Sequence, residues 1–182
     1  MRLQELLGDM SDDRKPALIL NAPLALTRSI AIRDFDGWHV KERDLQHEGL
    51  AQLIQETRTQ KPLVVGCSVH SVASALIAAR MGVDYIQVGT MFPTPSHPEK
   101  ATPESLEGPR LLRELLAEMG DEDGIFPMPP LIGVGGINTA QNIRDVLSAG
   151  ASGVAMIRGI LAVENAGQAT AEYRRVLDTF QA

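Results

Sequence analysis

The 182-residue chain has a single cysteine, Cys67, so no internal disulfide framework can staple it, which fits a reducing compartment such as the cytoplasm. It has no excess of positive charge. Seventeen Lys and Arg against 23 Asp and Glu give a net charge of -6, which leaves no basic stripe for nucleic acid. No apolar run approaches the roughly 20 residues that a membrane-crossing helix needs, and the polar, acidic stretch Met1 to Asp13 does not read as a secretory signal. No internal repeat is present either, so a solenoid is excluded. What remains is 44% hydrophobic and 22% charged residues, the composition of one compact domain over residues 1–182 with small-molecule partners.

Short apolar, β-branched runs recur along the chain, each followed by residues with helical spacing. Strands are expected at Ala17–Asn21, Gly37–Val40, Leu63–Ser68, Tyr85–Gly89, Leu131–Gly135 and Gly153–Ile157. They are nearly unalternating, as strands buried on both faces are. Between them, Ser71 opens a helix with Val72, Ala75, Leu76 and Ala79 on one face and Gly82 as its stop. Thr139 caps another helix that buries Ile143, Val146 and Leu147 and ends at Gly150. Strict β-then-α order implies parallel pairing with right-handed crossovers, hence an open doubly wound sheet or a (β/α) barrel. A full eight-unit barrel takes about 250 residues, about 31 per unit, so six units need about 187. This length predicts an α/β fold of the (β/α)₈ TIM-barrel type lacking its first two strands, with Met1–Met10 as the preceding helix. Such a sheet has two open edges, which further sequence or a homo-oligomeric partner must cover.

Candidate chemistry clusters after the strands. Residues 93–109 form a long connection in which Pro93, Pro95, Pro98, Pro103 and Pro109 oppose regular structure, and long loops after barrel strands are usually functional. The run Leu131-Ile-Gly-Val-Gly-Gly-Ile-Asn138 ends a strand in two glycines before a helix, where free N–H groups attract an anion and glycine lets a ligand approach. The next unit, Gly153-Val-Ala-Met-Ile-Arg-Gly159, ends similarly, and two such neighbours make the phosphate site of many barrels. Other residues have plainer readings. Cys67 is a small core residue, His70 a hydrogen-bonded structural histidine, His47 a solvated helix position, and Asp121-Glu-Asp123 a solvated loop. Asp44 is either a rim carboxylate or the N-cap of a helix beginning at Leu45, and His39 stays ambiguous. Ser68 and His70 do not make a hydrolase elbow.

Four runs, Gly66-Cys-Ser-Val-His-Ser71, Asp84-Tyr-Ile-Gln-Val-Gly-Thr-Met-Phe-Pro-Thr-Pro-Ser96, Ile132-Gly-Val-Gly-Gly-Ile137 and Gly150-Ala-Ser-Gly-Val-Ala-Met-Ile157, resemble the thiamine phosphate synthase/TenI family in order and spacing. The resemblance spans about Ala17 to Ile160. It implies a transferase that joins a pyrimidine-methyl pyrophosphate to a thiazole phosphate with help from Mg²⁺. Carried over by motif, Asn21 and Ser68 touch the pyrimidine and Asp44 holds the metal, while Thr94, Ser96, Gly136, Ile157 and Arg158 hold the thiazole phosphate. Ser68, His97 and Lys100 are the implied catalytic set.

The chain departs from the synthase pattern at four places. Asn21-Ala22-Pro23 stands where the synthase has Asn-Asp, so one metal carboxylate is absent. The Gln-x-Arg-x-Lys segment that grips the pyrophosphate has no counterpart, His97 replaces the loop lysine with Lys100 nearby, and Arg158 replaces a serine. Ser68-Val69-His70-Ser71 resembles TenI, whose members tautomerise a thiazole carboxylate phosphate, but the tautomerase histidine falls at Thr90, so His97 would have to act instead. Synthase, TenI-like tautomerase and a non-catalytic phosphate-ligand binder are therefore the three readings.

Overall fold

A computed structural model of the chain describes residues 15–24, 35–60, 62–121 and 128–181. The helix expected over Met1–Met10 and most of the connection from Gly120 to Pro130 lie outside them. Six strands, β1 (Ile19–Asn21), β2 (Gly37–Val40), β3 (Val64–Val69), β4 (Tyr85–Val88), β5 (Leu131–Val134) and β6 (Gly153–Ala155), form one all-parallel sheet in sequence order. The sheet curls into a half-barrel of TIM-barrel type. The α-helices lying wholly within the described residues are α1 (Leu50–Gln60), α2 (Val72–Arg80), α3 (Gly108–Asp121), α4 (Ala140–Ser148), α5 (Arg158–Leu161) and α6 (Ala166–Gln181). Among the described strands, β1 and β6 each have a neighbour on one side only.

Helix boundaries follow the local chemistry. Ser71 caps α2 by accepting the Ser74 N–H at 3.2 Å, and Ser74 returns the bond in a capping box. Thr139 caps α4 through the Asn142 N–H at 3.0 Å. Gly82 and Gly150 follow these two helices with φ of 74° and 98°, angles that favour glycine. Three expectations need correction. Asp44 caps no helix: Glu42–Asp44 form a single 3-10 turn, α1 starts only at Leu50, and His47 is exposed in the turn between. Leu76 is half-buried, and the core face of α2 is Ser74, Ala75, Ala78 and Ala79. The prolines of the long loop do not forbid structure; Pro98 and Pro103 start 3-10 turns, and Pro109 sits in the first turn of α3, where a missing N–H costs nothing.

The strand register separates the two faces of the sheet. Val65, Cys67, Val69, Ile86, Val88 and Leu131 are buried against the helices, where Ile54, Ala75, Ala78, Leu112, Leu115, Ile143 and Val146 complete the core. Their alternates point to the concave side, and these include Asn21, His39, Ser68, Tyr85 and Gln87. One row of that side, His39–Gly66–Tyr85, crosses three strands in register. A Cβ at Gly66 would run into the Tyr85 ring, so glycine lets the tyrosine lie across β3 and reach His39 on β2. Replacing Gly66 with alanine should displace that ring and strand the buried His39 Nδ1, at a cost on the order of 1–3 kcal/mol. Urea denaturation measures it; unchanged stability would show that the tyrosine does not depend on the glycine.

Candidate active site

The concave row is polar, and its hydrogen bonds define it. His39 Nε2 lies 2.7 Å from Ser68 Oγ and Nδ1 lies 3.0 Å from the Tyr85 hydroxyl. The two rings stack with centroids 5.6 Å apart. His39 is only 3% exposed, and burial, followed by the Lys41 charge, lowers its pKa to about 4, so the imidazole is neutral at pH 7. Burial also raises the Tyr85 phenol, which therefore stays protonated. With Tyr85 O–H donating to Nδ1, His39 donates from Nε2 to Ser68, whose own O–H is left for a ligand. Asn21 pairs in register with His39 and extends the row to β1. Cys67 points the other way, buried, its thiol pushed up to about 12 by burial and by Glu42 and Asp44, which makes it the core residue expected and no nucleophile.

Loops after β4, β5 and β6 build the rim beside this row. Met91 N and Phe92 N donate to Val134 O at 3.0 Å and Gly135 O at 3.1 Å, fastening the start of the long loop to the end of β5. Gly135 and Gly136 have φ of 96° and 68°. A Cβ at Gly136 would strike the Phe92 carbonyl, so this glycine makes room for the neighbouring loop. That corrects the expectation that its missing side chain is clearance for a ligand; what it can offer a ligand is backbone N–H. Gly159 serves the loop after β6 in the same manner, since a Cβ there would lie 2.8 Å from Ile137 O. Tyr173 of α6 donates to Asn138 O at 2.8 Å and braces the β5–α4 turn from outside. Ile157 and Arg158, both exposed, stand at the opening of α5, and Arg158 has no ion pair among the described residues.

The remaining candidates divide clearly. Thr94 and Ser96 lie on the long loop, with Ser96 N donating to Thr94 Oγ1 at 3.4 Å. His97 has a side chain 53% exposed and pairs with Glu99 at 2.9 Å. Lys100 is instead drawn back to the rim by Glu107, whose other oxygen accepts the Thr90 N–H. Of the two basic residues on the loop, Lys100 is thus the more sheltered, its side chain 20% exposed. His70 is structural as expected: its N–H donates to Glu42 at 2.9 Å, and Nδ1 faces Gly89 O and Glu107. Asp44 follows β2 at the same rim as Ser68 and the glycine loop, because all six strands run in one direction. No three His, Cys, Asp or Glu side chains cluster as a metal cage among the described residues. One rim carboxylate fits a Mg²⁺ that keeps waters and arrives with a substrate's phosphates, not a resident ion.

Sequence reasoning missed the His39–Tyr85 partnership and the Glu107 carboxylate. The first was readable only through strand register, which places residues 46 positions apart in one row. A parallel half-barrel with polar groups on its concave face and paired glycine-rich turns at its C-terminal rim places the chain among the (β/α)-barrel proteins. Residues 2–160 match the thiamine monophosphate synthase family model, and the chain belongs to that family. It is 32% identical over 175 residues to the thiamine-phosphate synthase of Chloroflexus aurantiacus, covering 96% of this chain and 71% of that one. With the thiamine-phosphate synthase of Listeria monocytogenes serotype 4a the identity is 41% over 143 residues, 78% of this chain but 58% of the relative. The fold matches the solved thiamine phosphate pyrophosphorylase of Pyrococcus furiosus with a TM-score of 0.65 at 24% identity, over 90% of this chain and 68% of that one.

His39 makes stability depend on pH in a stated direction. Its folded pKa lies below the unfolded value, so its contribution is complete above about 6.5 and is lost as pH falls to about 4. The loss across that window should be about 3 kcal/mol in urea unfolding. Glu107, whose carboxyl is held low, adds its own loss only at more acid pH. His39→Asn should flatten the upper window, and an unchanged slope in that variant would contradict the assignment.

Proposed function

We propose that the chain acts as a transferase of thiamine phosphate synthase type, joining a pyrimidine-methyl diphosphate to a thiazole phosphate. The observation that carries this reading is the adjacency of two surfaces suited to two different substrates. Asn21 and the Ser68 hydroxyl, backed by the neutral His39–Tyr85 pair, offer uncharged hydrogen-bonding groups to a heteroaromatic ring. The β5–α4 and β6–α5 turns beside it offer backbone N–H groups and the exposed Arg158 guanidinium to a phosphate dianion.

In this reaction the bond between the pyrimidine methylene carbon and a diphosphate oxygen breaks, and the electron pair leaves with the diphosphate. The thiazole nitrogen then supplies the pair that forms the new carbon–nitrogen bond. No protein base has to take a proton. The protein's task is to orient the two rings, exclude water and neutralise charge on the leaving group, the last of which falls to Lys100. A Mg²⁺ carried by the diphosphate, with Asp44 as its protein carboxylate, supplies further neutralisation when bound. The neutral His39 suits this role, because a charged imidazole under the pyrimidine would oppose cation formation at the methylene.

The tautomerase reading has less support, since Thr90 is buried where the catalytic histidine is needed and His97 stays in solvent with Glu99. Incubation with both thiamine precursors and Mg²⁺ should yield thiamine phosphate. A folded chain that makes none, yet binds thiazole phosphate equally well with and without Mg²⁺, would be a binding protein instead. Arg158→Ala should weaken thiazole phosphate binding in calorimetry by roughly 1.5–3 kcal/mol, the range for a charged hydrogen bond. Tighter binding by that variant would mean that the arginine obstructs the phosphate site.

A further inference from the structure

Glu107 is not itself assigned to substrate, yet its carboxylate meets three parts of the rim. Oε2 accepts the Thr90 N–H at the end of β4 at 2.5 Å. Oε1 accepts Lys100 Nζ from the middle of the long loop and lies 3.2 Å from His70 Nδ1 after β3. The Gly108 N–H returns a bond to Thr90 O at 3.1 Å, so the loop of residues 91–107 is clasped at its neck, and Lys100 is tied to that neck. The pair is sheltered: the side chains of Glu107 and Lys100 are 13% and 20% exposed. Water and salt screen such a pair less than a surface one. Burial alone would raise the Glu107 carboxyl, but Lys100, the Thr90 N–H and its own backbone N–H together hold it below the usual range.

Resting on the transferase reading above, we infer that Glu107 is a positioning residue that holds the Lys100 ammonium at the rim where charge develops on the departing diphosphate. The ion pair does not use the lysine up. An ammonium has three N–H donors, so one can stay on Glu107 while the others turn to phosphate oxygens. Nor does the carboxylate depend on Lys100 alone, because Oε1 also faces His70 Nδ1. His97, three residues earlier and tied to Glu99 in solvent, has no such anchor. The loop therefore carries two basic side chains, of which the protein fixes one.

Glu107→Gln tests this, because the amide keeps an oxygen for the Thr90 N–H and removes the charge that holds the ammonium. Its kcat should fall about tenfold while KM for the diphosphate does not rise, since a freed ammonium still attracts the polyanion but is no longer preorganised for the transition state. In a Lys100→Ala background the same substitution should change kcat less than about twofold, as two residues acting through one contact do. An unchanged kcat, or an equal fall in both backgrounds, overturns the inference. Hydrogen exchange across residues 91–107 supplies a readout that needs no activity. Exchange should quicken in both Glu107→Gln and Lys100→Ala, and a Glu107→Gln loop as protected as the wild type overturns the inference whatever the kinetics. A folded wild type without synthase activity would defeat the transferase reading alone and leave the exchange result to decide the anchor.

Discussion

Six strands that all run the same way, paired without a slip from β1 to β6, impose one constraint from which the site follows. Parallel pairing sends every strand's C-terminal end to one rim, so turns distant in sequence meet there. Exact side-chain alternation then sorts each strand into a helix-facing set and a concave set. The same register that buries Val65, Cys67 and Val69 under α2 and its neighbours turns Gly66 and Ser68 to the concave side. A one-residue slip of β3 would put Ser68 into the core and Cys67 beside His39, exchanging a solvated hydroxyl for a buried one. Core and site thus stabilise the same register.

The parts of the fold that local chemistry controls were legible in the sequence. Apolar runs located all six strands, with ends that differ by one or two residues because Gly89, Gly135 and the residues after Ala155 leave the ladder. Ser71, Gly82, Thr139 and Gly150 marked their helix ends because caps and positive φ angles are decided within a few residues. Asp44 was misjudged as an alternative helix cap since a 3-10 turn and a first α-turn share their early spacing and diverge only at Leu45.

Long-range contacts were not legible, and they carry much of the site's chemistry. His39 looked ambiguous beside Trp38, and only Gly66, by leaving space under the Tyr85 ring, makes it a buried, doubly bonded neutral imidazole. Gly136 was singled out as clearance for a ligand, but the space it vacates belongs to Phe92, and its φ of 68° is a second reason for glycine there. Glu107 lies in Leu106-Glu-Gly108, which gives no hint that the carboxylate closes the long loop on Thr90 and Lys100. Nor does the sequence show that the loop's two basic residues differ in setting, Lys100 sheltered against Glu107 and His97 exposed beside Glu99.

On the proposed function, the concave polar row and the double glycine turn are two halves of one ligand site. Amide chemical shifts followed by NMR while thiamine phosphate is titrated in test it most directly, because that molecule carries both the pyrimidine and the phosphate. A shared site gives coincident shifts at His39, Ser68 and Tyr85 and at Gly136, Asn138 and Arg158, with little change at the opposite strand ends near Leu63 and Pro130. Shifts confined to one of the two groups, or concentrated at those opposite ends, would contradict it.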